Sequence, residues 1–176
     1  MQNQDKLKQI EGIIIKINAM VKYKDYYIVF EEIPDKVTLA VNITNCQNRC
    51  VGCHSPELRE NIGNELTKEE IDKMIKENDG INCFLFMGEG NDRESLLELA
   101  KYIKDTYKLD VALYSGREKS EYELLKTFDF IKIGPYIEEY GPLNKTTTNQ
   151  RLYRIEHFEN SDVEFKLVDI TEKFWK

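Results

Sequence analysis

Three of the four cysteines, Cys46, Cys50 and Cys53, fall within eight residues in the run NCQNRCVGCHSPE, at spacing C-x3-C-x2-C. Clustered thiols of this kind bind metal or do redox chemistry when the surroundings are reducing. Two metal chemistries compete for them. A structural zinc ion takes four nitrogen or sulfur ligands in a closed tetrahedron. Cys46, Cys50, Cys53 and His54 make four candidates, but Cys53 and His54 are sequence neighbours and poorly disposed to grip one ion. The remaining thiol, Cys83, could supply the fourth zinc thiolate instead, but it lies in the apolar run NCFLF, where a lone cysteine usually reads as an inert core residue. An iron–sulfur cubane normally takes four thiolates. Three would leave one iron without a protein ligand, a defect in an electron carrier but an open coordination position in a catalyst. Gly52 would let the backbone approach closely between two ligands, and Arg49 with nearby backbone N–H groups would offset the cluster's negative charge.

The elements around this loop must hold it at a defined place. VTLAVNI (37–43) is a short, apolar, β-branched run that reads as a buried strand and delivers the chain into the cysteines. YYIVFEE (26–32) precedes it as another strand, across a Pro34-Asp35 turn. Thr67-Lys68-Glu69-Glu70 has the form of a capping box and opens a helix with Ile71, Met74 and Ile75 on one face. NCFLFMG (82–88), DVALYSG (110–116) and DFIKIG (129–134) are further strands, separated by helices over 93–107 and 120–128. This alternation predicts βαβ units, so the fold class expected is α/β, an open partial (β/α) barrel with a mostly parallel sheet. The chain is too short for eight units, which need about 250 residues. Ligands gather at the carboxyl ends of such strands. Gly88-Glu89-Gly90, Ser115-Gly116 and Gly134-Pro135 all follow strand ends, as the cysteines do.

Bulk composition narrows the class. The chain has 176 residues, 41% hydrophobic and 32% charged, with a net charge of −7. That is an ordinary globular composition, with one domain expected. The acidic balance argues against a nucleic-acid partner, which requires a basic face. No apolar run approaches the ~20 residues of a membrane span, and the polar start MQNQDKLKQIEG has no signal-peptide core. A cytoplasmic protein is therefore expected. Residues 1–19 read as an amino-terminal arm appended to a domain of residues 20–176, with Met20 a candidate initiator.

The C-x3-C-x2-C loop after the first strand of a βα repeat resembles the radical S-adenosylmethionine superfamily. The run Cys50-Val51-Gly52-Cys53-His54-Ser55-Pro56-Glu57 is similar to the C-x-G-C-[HF]-N-P-E of glycyl-radical activating enzymes, above all those that activate anaerobic ribonucleoside-triphosphate reductases. Leu113-Tyr114-Ser115-Gly116 resembles that family's Y-T-G. Gly134-Pro135-Tyr136-Ile137-Glu138 and Thr148-Asn149-Gln150-Arg151 resemble its G-P-F-I-E and S-N-Q-R. The resemblance covers about residues 23–157. It departs at Glu31–Lys36, which lacks the family's glycines, and at Gly88-Glu89-Gly90-Asn91-Asp92, which lacks the proline of G-G-[ED]-P.

The resemblance implies a barrel of the radical S-adenosylmethionine type and a [4Fe-4S] cluster on Cys46, Cys50 and Cys53. It also implies S-adenosylmethionine chelated at the open iron, with Gly88 and Glu89 toward its amino group and Ser115 and Gly116 along its ribose and methionine. One electron would cleave the sulfonium and release a 5′-deoxyadenosyl radical. The implied partners are the large subunit of the anaerobic reductase and a low-potential donor such as flavodoxin or ferredoxin. Activation of another glycyl-radical enzyme, of the formate-lyase type, stands as an alternative, as does a non-catalytic zinc or cluster-binding module.

Overall fold

The computed structural model describes residues 4–5 and 20–175. The expected amino-terminal arm, 1–19, lies outside the described residues except for Gln4 and Asp5. Among the described residues eight strands form one mixed sheet. They are β1 (Lys22–Val29), β2 (Thr38–Ile43), β3 (Asn64–Glu65), β4 (Cys83–Met87), β5 (Asp110–Tyr114), β6 (Phe130–Ile133), β7 (Arg151–His157) and β8 (Phe165–Asp169). Their spatial order is β3-β1-β2-β4-β5-β6-β7-β8. The four central strands, β2, β4, β5 and β6, are parallel. Both flanks are antiparallel: β1 pairs with β2 and β3, and β7 with β6 and β8.

Helices α1 (Lys68–Glu77), α2 (Arg93–Tyr107) and α3 (Tyr122–Thr127) connect the parallel strands. The capping signal at Thr67 is used: its hydroxyl accepts from the Glu70 amide at 3.2 Å. Asp92 does the same for α2, accepting from the Ser95 amide at 3.2 Å. Ile71, Met74, Leu96, Leu99, Ala100, Ile103 and Leu124 face the sheet from these helices. They pack on Leu39, Val41, Ile43, Phe84, Phe86, Val111, Leu113 and Ile131 in one core. Each successive parallel strand is added on the same side of the last. Crossovers of one hand then place every helix on one face. No helix among the described residues is long and apolar enough to cross a membrane.

The opposite face is built in level rows, because parallel pairing sets residues of β2, β4, β5 and β6 directly beside one another. Thr38, Cys83 and Asp110 form the first row. Ala40, Leu85, Ala112 and Phe130 form the second, and Asn42, Met87, Tyr114 and Lys132 the third, at the carboxyl ends. The second row belongs to a separate apolar core with Cys83, Ile33, Leu152 and Ile170. The carboxyl-terminal turn Thr171–Phe174 covers this core, with Phe174 packed against it and Lys173 ion-paired to Asp35 of the β1–β2 connection.

Two readings from the sequence shift. The first strand begins at Lys22 rather than Tyr26 and ends at Val29, because its pairing partners, Glu65 on one side and Ile43 to Thr38 on the other, set its limits. Phe30 is left exposed in the turn that follows. The β7–β8 hairpin is the larger addition. β8, with the pattern FKLVD, is an edge strand whose side chains are mostly solvated, so it carries little apolar signal.

Cys83 is fully buried in the first row, and burial pushes its thiol up to about 12. At a strand rise of about 3.3 Å per residue it lies roughly 13 Å below the row of Met87. Cys83→Ala should cost about 1 kcal/mol through the small cavity it leaves, read as a lower urea midpoint, with bound metal per chain unchanged. Loss of metal on this change would make Cys83 a ligand.

Candidate functional site

The cysteine segment leaves β2 at Ile43 and returns on itself. Its neck is closed by backbone hydrogen bonds. Thr44 N–H donates to the Lys22 carbonyl (2.9 Å), Asn45 N–H to Glu60 (3.1 Å) and Cys46 N–H to Leu58 (2.9 Å). The Thr44 hydroxyl adds a bond to the Ile62 carbonyl at 2.9 Å. Within the loop the Cys53 amide donates to the Cys50 carbonyl at 3.3 Å, and the Arg59 guanidinium donates to the same carbonyl. Arg59, not the exposed Arg49, is thus the cation held against the loop. Gly52 sits at φ +75°, the left-handed region that favours glycine, while an added Cβ would make ordinary contacts with Tyr136 at 3.4 Å and the Glu138 side chain at 3.6 Å. The turn's left-handed backbone is what requires the glycine.

All three loop thiols are free and half-buried. They line one cavity of about 340 Å³ whose floor is the third row, Asn42, Met87, Tyr114 and Lys132. Gly88, Ser115 and Gly116 line it too, so strand ends distant in sequence meet the cysteines there. Burial raises the Cys46 thiol above its ordinary value, a penalty that a bound cation reverses by stabilising the thiolate. Among the described residues no three His, Cys, Asp or Glu side chains are gathered closely enough to hold a single metal ion of any kind.

Lys132 stands in β6, where alternation along the strand does not say which face is inside. It points inward and is 8% exposed, its ammonium 3.2 Å from the Gly134 carbonyl and 5.6 Å from the centre of the Tyr114 ring. Burial lowers its pKa to about 8, and the thiol groups of Cys50, Cys46 and Cys53 work in the opposite direction. No carboxylate among the described residues pairs with it. A buried cation on the floor of a cavity calls for an anion inside that cavity.

Glu89 is 8% exposed but does not line the cavity. Its carboxylate accepts from the Ser115 hydroxyl and lies 3.1 Å from Arg117 Nε and 3.5 Å from Arg93. It ties the turn after β4 to the turn after β5. Gly88 adopts φ +124°, which a side chain would strain, at the point where the chain passes Ile43. His54 is exposed and stacks edge-on against Tyr136 at 5.1 Å. Thr148 to Arg151, polar as they are, are largely internal. Gln150 donates to the Gly134 carbonyl at 3.3 Å and Asn149 to the Pro135 carbonyl at 2.9 Å. They brace the turn after β6.

No curated protein and no solved structure matches the chain. The model of one protein family does, described as "4Fe-4S single cluster domain", over residues 36–156. That span begins just before β2, closes within β7 and contains the cysteine loop, the cavity floor and every turn above it. With more than two thirds of its length inside the family's model, the chain belongs to the 4Fe-4S single cluster domain family, and it is an iron–sulfur protein.

Proposed function

We propose that the chain is an activating enzyme of the radical S-adenosylmethionine type, which generates a glycyl radical on an anaerobic ribonucleoside-triphosphate reductase in the cytoplasm. The observation that carries this reading is the number of thiols at the cavity. Three line it, and the fourth is buried in another row of the sheet. A 4Fe-4S cluster normally takes four thiolates, so Cys46, Cys50 and Cys53 as its protein ligands leave one iron for a small molecule. A purely electron-carrying module would fill that place with a fourth residue.

The donor set fits the group. Soft thiolates suit iron–sulfur chemistry, and Lys132 and Arg59 supply positive charge beside them. When bound, the cluster supplies the electron that cleaves S-adenosylmethionine to methionine and a 5′-deoxyadenosyl radical. The chain's own residues bind, orient and exclude water. Lys132 would meet the methionine carboxylate from the floor, Gly88, Ser115 and Gly116 would flank the methionine and ribose, and Glu89 would act through the turns it ties together. Tyr136, Pro142 and Leu143 supply apolar wall.

The fold belongs to the same proposal: an open partial (β/α) barrel, supported by the single winding of β2, β4, β5 and β6 with helices on one face. The protein substrate is the reductase large subunit, and flavodoxin or ferredoxin supplies the electron.

Cys46→Ala, Cys50→Ala and Cys53→Ala should each lose the cluster or hold it loosely, and none should form 5′-deoxyadenosine with a strong reductant under strict anaerobiosis. Wild-type protein that holds four irons yet never forms 5′-deoxyadenosine would falsify the radical assignment. If that product forms while no glycyl radical signal arises on the reductase, the chemistry stands and the target is another glycyl-radical enzyme.

Lys132→Met separates binding from folding. It removes a buried cation whose lowered pKa corresponds to roughly 2–4 kcal/mol at 1.36 kcal/mol per unit. The cluster-free variant should therefore unfold at higher urea than wild type at pH 7. Its affinity for S-adenosylmethionine should fall about tenfold or more, as expected for loss of a charge-assisted hydrogen bond. A variant less stable than wild type, or one that binds as tightly, contradicts this role.

A further inference from the structure

We propose that Asn48 seats the cysteine loop on the sheet and that Gly116 is its socket. This rests on the reading that Cys46, Cys50 and Cys53 hold the cluster. A Cβ placed on Gly116 would lie 2.8 Å from Asn48 Nδ2, 2.9 Å from its Cγ and 3.1 Å from its Cβ. Real Cβ atoms essentially never approach within 3.0 Å, so with a side chain at Gly116 something must shift. Gly116 is not among the glycines with positive φ. The backbone of the turn would accept alanine, and the nearest atoms an added Cβ would strike all belong to Asn48.

The contact links two things that must be held in fixed relation. Asn48 lies between Cys46 and Cys50, and its carbonyl accepts from the Cys46 thiol at 3.6 Å. Its side chain reaches across to the turn after β5. That turn is braced on its neighbours. Ser115 N–H donates to the Lys132 carbonyl at 2.8 Å, and Gly134 N–H donates to the Arg117 carbonyl at 2.7 Å. Ser115 and Arg117 both bind Glu89, which follows β4. A socket tied to β4 and β6 has little room to yield. The loop, closed by backbone bonds at its neck, is the side that would move. Asn48 therefore sets how Cys46 and Cys50 stand above the floor row. Gly116 acts as a positioning residue toward the loop, a role separate from any contact with S-adenosylmethionine.

The test is a double-mutant cycle on the cluster-loaded protein, read as the rate of iron loss to a chelator under anaerobic conditions. Absorbance of the cluster gives the rate, and melting of the cluster-free forms serves as the control. Gly116→Ala should release iron about tenfold faster than wild type, the effect of forcing extra carbon into a packed contact. Asn48→Ala should release it about threefold faster. The double variant should be no faster than Asn48→Ala, because shrinking Asn48 removes the atoms that the methyl group added at Gly116 would strike. Cluster-free Gly116→Ala should melt as wild type does. Additive losses, a Gly116→Ala variant that holds iron like wild type, or a lowered melting point that Asn48→Ala does not relieve would each overturn the proposal. Cys50→Ala is run beside them. If it keeps iron as firmly as wild type, the ligation reading fails and the seating role falls with it, an outcome distinct from a cycle that fails while Cys50 proves necessary.

Discussion

Parallel pairing at level register is the constraint on which the rest of the molecule depends. It sets Asn42, Met87, Tyr114 and Lys132 side by side across four strands. Their backbones therefore leave the sheet at one height, and the segments that follow are brought together without any contact between them being needed first. Parallel strands cannot be joined by tight hairpins. The crossovers that join them carry the helices to one face and leave the other free to form a cavity.

The free face changes character along the strands. Its second row, Ala40, Leu85, Ala112 and Phe130, is apolar and closed off by the carboxyl-terminal turn. The third row brings an asparagine, a tyrosine and a buried lysine to the cavity. Burying an ammonium beside an aromatic ring and a single carbonyl costs stability in the empty chain. Such a cost is what a binding site retains when its ligand supplies the missing charge. Glu89 is the opposite case. Two arginines and a serine hydroxyl engage it, so its charge is used within the protein to hold two turns together.

The cysteine loop depends on the sheet in a different way. Its neck is an extension of the sheet's own hydrogen bonding, through Lys22 of β1. Its tip carries the thiols and meets the sheet through Asn48 on Gly116. The polar segment Thr148–Arg151 plays the matching part on the far side, bracing Gly134 and Pro135 through side-chain amides. Rigidity at the cavity thus comes from polar contacts between loops, standing on an apolar sheet.

The order of elements from β1 to β6 apart from the short β3, the helix cap at Thr67, the buried parallel strands and the cysteine loop were legible in the sequence alone. Each is a local matter: β-branched runs, helical spacing, Thr67 at a helix start, and three thiols within eight residues. Cys83 as core was legible too, since it stands in an apolar strand. Tertiary structure alone decided the direction of Lys132, because alternation gives two faces and not which one is inside. It also turned Glu89 toward Arg93 and Arg117, made Arg59 rather than Arg49 the loop's cation, and set Gly116 against Asn48, 68 positions away by the numbering. Partners so far apart along the chain leave no periodicity to read. They exist only once the strands have taken their order and the turns above them have met.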